Sequence, residues 1–404
     1  MRRYALHFWE KPLTRFLAIA LVLASIQTAE AFSLTTWNVA EGTIENVTRR
    51  ETDIQRLGVI IRAKLQGNLP DVLVLQEVTS YAAAMRVARA LGYQAGAVAT
   101  SDSGSDAEIW PFALEVAIVT TRPIVSVTAY QSRADHKPFV AALATGDVTY
   151  GTVTPVTVPA VVALPPSELI PRAILRVEIE GNMVIYGVHF NSSGLGFCRL
   201  GDAMKGAGEL RRKAEALGLT GEARDIQAAM DRVRQEIGRA RDPGVEATKQ
   251  EALRRWRSRE AAAGAVAALA AADQSAGKTV FVAGDFNTPL NEACKTGKKL
   301  EEDFEPMMGC ATRLEPTSCG TRDGFDDTYA VLTSGVIEGM RFRVLTEGLG
   351  RTYVKGNFVN SPIDNVLVGG AGSDRLFTAE KLMETGTNPA FGSDHTPVLV
   401  VRAP

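Results

Sequence analysis

Short apolar runs alternate with amphipathic stretches along most of the chain. Residues 33–37 predict a first strand, and residues 51–65 a helix with Ile54, Leu57, Ile60 and Ile61 on one face. Residues 72–75 predict a second strand, 81–91 a second helix, and 116–120, 174–179 and 184–188 three more strands. After residue 191 the period changes. Ile226, Met230, Val233 and Ile237 recur at helical spacing within 209–240, where Gly218 and Thr220 break the pattern into a hairpin. Residues 249–273 continue as a helix with Leu253, Trp256, Val266 and Leu269 on its apolar side, and lead into a strand at 280–283. Two last strands are predicted at 361–368 and 397–401. Strands and helices mixed in this way, without strict strand–helix–strand alternation, predict an α/β sandwich with mostly antiparallel sheets.

The strand at 280–283 is the pivot. Val280-Phe-Val-Ala283 is apolar throughout, so both its faces are expected to be buried, and Gly284 permits a close backbone approach. Asp285 and Asn287 follow two apart, a spacing that shares one face of an extended chain. Gly, Asp, Asn and Pro are also turn formers, so this segment alone fits a plain turn. Recurrence decides against that. Trp37-Asn38, Leu75-Gln-Glu77, Val188-His-Phe-Asn191, Asp285 with Asn287, Ile363-Asp-Asn365 and Ser393-Asp-His395 all put Asn, Glu, His or Asp at one end of an apolar run. Polar groups at the ends of core strands are costly to bury without partners, and six such ends predict a shared site.

Residues 1–31 are set apart from the fold. Arg2, Arg3, Lys11 and Arg15 precede or flank an uncharged run at 16–26, and Ala29-Glu-Ala31 is a small-x-small cleavage site, the pattern of a secretory signal peptide. The run is too short to span a bilayer, and no second run approaches a membrane-spanning length. A soluble mature chain of residues 32–404, working in the periplasm or outside the cell, is expected. Its four cysteines, Cys198, Cys294, Cys310 and Cys319, allow two disulfides in any of three pairings and lack zinc-site spacing. The mature chain carries 40 basic and 44 acidic residues, which excludes a polycation that binds nucleic acid through net charge. Between Lys205 and Arg259, however, 14 basic residues face nine acidic ones.

Taken together, Thr36-Trp-Asn38, Leu75-Gln-Glu-Val78, Gly187-Val-His189, Ala283-Gly-Asp-Phe-Asn287, Pro362-Ile-Asp-Asn365 and Gly392-Ser-Asp-His-Thr-Pro397 resemble, in order, the motifs of the endonuclease/exonuclease/phosphatase superfamily. That group includes deoxyribonucleases, abasic-site endonucleases, neutral sphingomyelinases and inositol-polyphosphate phosphatases. The resemblance implies a four-layer α/β/β/α sandwich, with two mixed and mostly antiparallel sheets, whose sheets meet at a metal-dependent phosphoesterase site.

The chemistry asks for these residue types independently. Attack of water on an anionic phosphodiester needs a hard cation, a group that orients or deprotonates the water, and donors to the phosphate oxygens. By resemblance, Asn38, Glu77 and Asp394 are the metal residues, with Mg2+ expected and Mn2+ or Ca2+ as substitutes. Asp285 is the water's base, Asn287 holds the phosphate or Asp285, and His189 and His395 donate to phosphate or leaving group. Glu115 and Asp364 match the carboxylates that orient His189 and His395. Arg172 and Asn191 are the substrate contacts.

Other motifs fall away. Ala276-Gly-Lys-Thr279 precedes a strand, whereas a phosphate-binding loop follows one, and no Gly-x-Ser-x-Gly elbow is present. The charged helical insertion at about 199–257 is longer than the family's usual connection. It is either a solvated hairpin or a basic appendage over the site mouth that contacts a polyanion. The expected substrate is nucleic acid, DNA or RNA. A phospholipid headgroup at a membrane surface is the alternative, suggested by the aromatic Trp110-Pro-Phe112 segment. A non-catalytic binding module on the same scaffold is disfavoured because every expected polar position is filled. No obligate protein partner is predicted.

Overall fold

The computed structural model describes residues 32–101, 115–130, 138–154, 172–190, 210–239, 243–288, 328–333, 341–354, 362–371, 373–383 and 391–402. The expected signal peptide, the four cysteines, the Trp110 segment and Asn191 lie outside these residues, as do the side chains of Glu115 and of 232–257.

Among the described residues fifteen strands, numbered along the chain, form two sheets. The first sheet runs in the order β14 (Phe377–Lys381), β15 (Val398–Arg402), β1 (Ser33–Gly42), β2 (Val72–Val78), β4 (Glu115–Thr120), β3 (Ala97–Thr100), β6 (Phe139–Ala142), β7 (Val148–Tyr150). The second runs β12 (Phe342–Val344), β13 (Asp364–Gly370), β11 (Thr279–Asp285), β10 (Met183–His189), β9 (Ile174–Ile179), β5 (Ile124–Tyr130), β8 (Thr152–Thr154). β1–β2, β10–β11 and β5–β8 are parallel neighbours, and the other pairings are antiparallel. Both sheets are mixed and mostly antiparallel, as the chain's patterning predicts.

Three apolar layers separate four layers of secondary structure. Between the sheets, Leu34, Val72, Val74, Val116 and Ile118 of the first meet Leu175, Ile185, Phe281, Ala283 and Val366 of the second. On the outside of the first sheet, Trp37, Leu73 and Leu75 pack against α1 (Ile44–Arg49), α2 (Glu51–Lys64) and α3 (Tyr81–Leu91). On the outside of the second, Val184, Val188, Val280 and Val282 pack against the C-terminal part of α5 (Pro243–Ser275) and against α6 (Thr328–Thr333). Central strands therefore have apolar residues on both faces, which is why they read as continuous runs and not as alternating ones.

Local signals set the helices. Ser80 caps α3 by accepting a hydrogen bond from the Ala83 amide, and Gly92 ends it in the left-handed region. Gly58 lets α2 close on α3, since a Cβ there would lie 2.3 Å from the Leu91 carbonyl oxygen. Gly218, with φ of +75°, separates the helical residues 210–216 from α4 (Thr220–Arg239), the break that the pattern predicts. α5 starts six residues earlier than the predicted helix.

The strands the pattern missed are mostly short or marginal. β7 is exposed at all three positions, and β12, β14 and β8 lie at sheet edges, so burial never imposed a period on their sequence. β13 starts at Asp364, and Pro362 and Ile363 of the predicted strand stay outside it, because Pro362 has no N–H to give and the Ile363 and Asp364 amides both donate to the Thr352 hydroxyl (3.1 Å each). Among the described residues no helix is long and apolar enough to cross a membrane.

Candidate active site

Alternation along the strands aims the side chains of the second sheet. On β10, Met183 and Ile185 face the other sheet, and Gly187 and His189 continue that face. Gly187 marks a close approach of the sheets, since a Cβ there would meet Val116 Cγ1 at 2.7 Å and Val74 Cγ1 at 3.3 Å. On β11, Phe281 and Ala283 lead to Asp285, and on β13, Val368 and Val366 lead back to Asp364. Ladder register then pairs His189 with Asp285 and Asp285 with Asp364, one rung across three adjacent strands. Gly284 has φ of +151°, and a Cβ there would lie 1.8 Å from the Val188 carbonyl oxygen, so only glycine fits between the strands.

The first sheet presents its residues differently. Leu34 and Thr36 carry the alternation to Asn38, and Val72 and Val74 carry it to Gln76. Continued alternation would turn Glu77 to the outer face with Leu73 and Leu75. Instead Glu77 has φ of +62° in a bulge where the register shifts between Gln76 and Val78. Its carboxylate thereby accepts from the Asn38 side-chain amide (3.1 Å) and the Glu41 main-chain amide (3.1 Å). Asn38 Nδ2 also donates to Asp285 Oδ2 (3.0 Å), so one carboxamide joins carboxylates of both sheets. Ala40 N donates back to Asn38 Oδ1 (2.9 Å).

His395 closes the group. Its Nδ1 lies 3.0 and 2.9 Å from the two oxygens of Asp364. An ionised carboxylate can only accept, so Nδ1 carries a proton and Nε2 is left for the site, 3.8 Å from Asp285 Oδ2. Trp37 Nε1 donates to the His395 carbonyl (3.2 Å), Ser393 Oγ accepts from its amide (3.0 Å), and the Tyr353 ring packs edge-on against its ring at 5.0 Å. His189 Nε2 lies 3.6 Å from Asp285 Oδ2 and 3.7 Å from Glu77 Oε1, within ion-pair range but beyond a hydrogen bond.

Electrostatics follow from burial. Asp285 is enclosed, and desolvation pushes its carboxyl up to about 7, with Asp364 adding to the rise and His395 and the Asn38 and Asn287 donors opposing it. Burial acts to lower the His395 imidazolium, but Asp364 and Asp285 outweigh it and hold the group up at about 10. Asp285, Asp364 and His395 offer ligand atoms within 4.8 Å of one another, but Asp364 and His395 Nδ1 are already committed to each other. Glu77, partly exposed and bracketed with Asp285 around Asn38, is the better seat for a hard cation, which favours carboxylate and carbonyl oxygen.

Asn287 is placed in a way that alternation does not give. β11 ends at Asp285, and Asn287 is left-handed, with φ of +52°. Its main-chain N–H donates to Asp285 Oδ1 (2.7 Å), its side chain donates to the Phe190 carbonyl (2.9 Å), and its own carbonyl accepts from buried Arg259 (2.8 Å). Arg172 donates to the same Phe190 carbonyl (3.2 Å), which brings it to the edge of the group. Asp394 is half-buried beside His395, and its carbonyl accepts from Val354 N (2.8 Å). Asn365, within the same motif as Asp364, faces the outer layer, where it bonds Tyr329 and Thr346. Thr352, Tyr353 and Ser393 support His395 and Asp364 without having been picked out from the sequence. Of these only Ser393 had a signal, its place in the Ser393-Asp-His395 triplet.

A family model described as the Endonuclease/Exonuclease/phosphatase family matches residues 35–395. No curated protein matches the chain. Among solved structures the chain is similar to the Xenopus laevis APE2 catalytic domain, with 13% identity and a TM-score of 0.40 over 92% of this chain and 91% of that one. It is also similar to an endonuclease/exonuclease/phosphatase family protein from Leptotrichia buccalis, with 11% identity and a TM-score of 0.40 over 92% and 99%. D. rerio TDP2 complexed with single strand DNA product gives 12% identity and a TM-score of 0.37 over 93% and 100%.

Proposed function

Because the chain belongs to the endonuclease/exonuclease/phosphatase family, a family of phosphoesterases, we propose that it is a metal-dependent phosphodiesterase that hydrolyses nucleic acid. The observation that carries this reading is the position of Asp285. It lies 3.6 Å from His189 Nε2, 3.8 Å from His395 Nε2 and 3.0 Å from Asn38, where both sheets meet.

Glu77 and Asn38 would hold a divalent cation, Mg2+ or in its place Mn2+ or Ca2+, which neutralises charge on the phosphate. Asp285, with its carboxyl near neutrality, takes the proton from the attacking water. The Asn287 main-chain amide holds Asp285 Oδ1 and the Asn38 carboxamide holds Oδ2, the oxygen that faces both histidines and takes the proton. His395 stays protonated through neutral pH and donates from Nε2 to a phosphate oxygen, while Asp364 holds the ring at Nδ1. His189 supplies a second donor from the neighbouring rung position. Arg172 and Asn191 are assigned to the substrate, and Asp394 to the rim of the cation site.

Export follows from residues 1–31, and mass spectrometry of the exported protein should find an N-terminus near Phe32. The basic insertion at 199–257 is assigned to contact with the nucleic-acid backbone. Deleting 205–245 should flatten the salt dependence on long DNA, and an unchanged dependence would remove that assignment. The function itself is tested with purified residues 32–404 on plasmid DNA, RNA and sphingomyelin liposomes, with Mg2+ and with EDTA. Metal-dependent cleavage of DNA or RNA supports the reading. Turnover of sphingomyelin alone would replace it with headgroup hydrolysis.

A further inference from the structure

Arg50 is the one residue between α1 and α2, and its guanidinium extends past the end of α1 to the turns of the site. Nη1 donates to the carbonyls of Val39 (2.7 Å) and Gly392 (3.0 Å), Nη2 to that of Ala40 (3.0 Å), and Nε to that of Asn46 (3.3 Å). Val39 and Ala40 follow Asn38 directly, and Gly392 opens the Ser393-Asp394-His395 segment. One side chain thus ties together the two backbone turns that carry the first sheet's share of the site.

Two of the carbonyls it holds belong to consecutive peptide units. The unit joining Val39 and Ala40 gives its oxygen to Arg50 and its N–H to Asn38 Oδ1 (2.9 Å). The next unit, joining Ala40 and Glu41, gives its oxygen to Arg50 and its N–H to Glu77 Oε2 (3.1 Å). A peptide unit is planar, so fixing the oxygen fixes the direction of the N–H. A charged donor on the oxygen also polarises the unit and strengthens the N–H as a donor. Both units need an unusual backbone, because Ala40 (φ 48°) and Glu41 (φ 47°) are consecutive left-handed residues that carry a Cβ. On the other turn, Phe391 (φ 52°) and Gly392 (φ 82°) are left-handed too, and a Cβ at Gly392 would lie 2.5 Å from Arg50 Cδ.

We propose that Arg50 is a positioning residue that aims Asn38 and Glu77 through two peptide units. This deepens the reading of that pair as the seat of the cation and rests on it. Lysine, a single ammonium with no planar fork, cannot hold three carbonyls in this geometry.

The test uses Arg50→Ala and Arg50→Lys in the full mature chain, with two readouts. Amide hydrogen exchange of metal-free protein at Ala40 and Glu41 should accelerate at least tenfold in both variants, while the Asp285 and Asp364 ladder amides keep their protection. Mn2+ titration should show affinity weakened by about 10–100-fold, with partial recovery of Arg50→Ala on adding guanidinium ion. Should Arg50→Ala fail to fold, Arg50→Lys gives both readouts. Folded variants with unchanged exchange at Ala40 and Glu41 would overturn the proposal. So would wild-type Mn2+ affinity in a variant whose only change is a lower melting temperature. Wild-type protein that binds no Mn2+ would instead refute the cation seat, and the exchange measurement would still decide the role of Arg50.

Discussion

The two sheets supply the site in contrasting ways. His189, Asp285 and Asp364 stand on one rung of three regular strands, each aimed by the same alternation that builds the apolar layer behind it. Asn38, Glu77 and His395 sit beside a bulge and two left-handed turns, held by Arg50, Ser393 and Trp37. Five of the seven described non-glycine residues with positive φ, Ala40, Glu41, Glu77, Asn287 and Phe391, flank the centre. Such conformations cost about 1–3 kcal/mol each and persist where surrounding structure enforces them. One half of the site therefore follows directly from the sheet, while the other exists only because tertiary contacts hold the backbone against its preference.

The largest test removes the regular half's central group. Asp285→Ala should lower the hydrolytic rate by about 10^3-fold or more, the scale of losing a general base together with its electrostatic role. Rate measurements should show this while circular dichroism of the variant stays that of the wild type. Next, Glu77→Gln keeps the bulge and removes its charge, and Mn2+ affinity should fall about 10–100-fold by calorimetry.

A matched pair of substitutions sharpens the contrast in stability. Ala40→Gly relieves a left-handed residue and should raise unfolding free energy by about 0.5–1 kcal/mol. Ala283→Gly, in the regular, fully buried part of β11, should lower it by about 1–2 kcal/mol. Urea denaturation checks both, and equal signs would erase the distinction between the halves.

The pH dependence joins the halves at His395. Its folded value is raised from 6.5 to about 10 by Asp364 and Asp285, so its contribution to stability is complete below pH 6.5 and is lost as pH rises through 10. The melting-temperature gap between metal-free wild type and His395→Asn should narrow across that window. Activity should rise through about pH 7 as Asp285 ionises and fall toward pH 10 as His395 discharges.

The same contrast explains what the sequence discloses. Val280–Ala283 ahead of Asp285, and the run ahead of His189, read as strands buried on both faces with a polar residue at their end, and the α/β layering follows from apolar runs with matching helices. Asn38 and Glu77 are visible as polar residues ending apolar runs, but strict alternation would send Glu77 outward, and nothing local to Leu75-Gln-Glu-Val78 announces a bulge. Asn287 reads as sharing the face of Asp285, yet the strand ends first, and a left-handed turn places it. Arg50 reads as one more charged residue at a helix start. Its partners are main-chain carbonyls up to 342 residues away, and these leave no side-chain pattern to read.

The most direct test of a single centre shared by two sheets is a double-mutant cycle of Glu77→Gln and Asp285→Asn read in Mn2+ affinity. Joint action through Asn38 predicts a coupling of about 1–3 kcal/mol between the substitutions. Additive losses, or affinity that neither substitution changes, would contradict it.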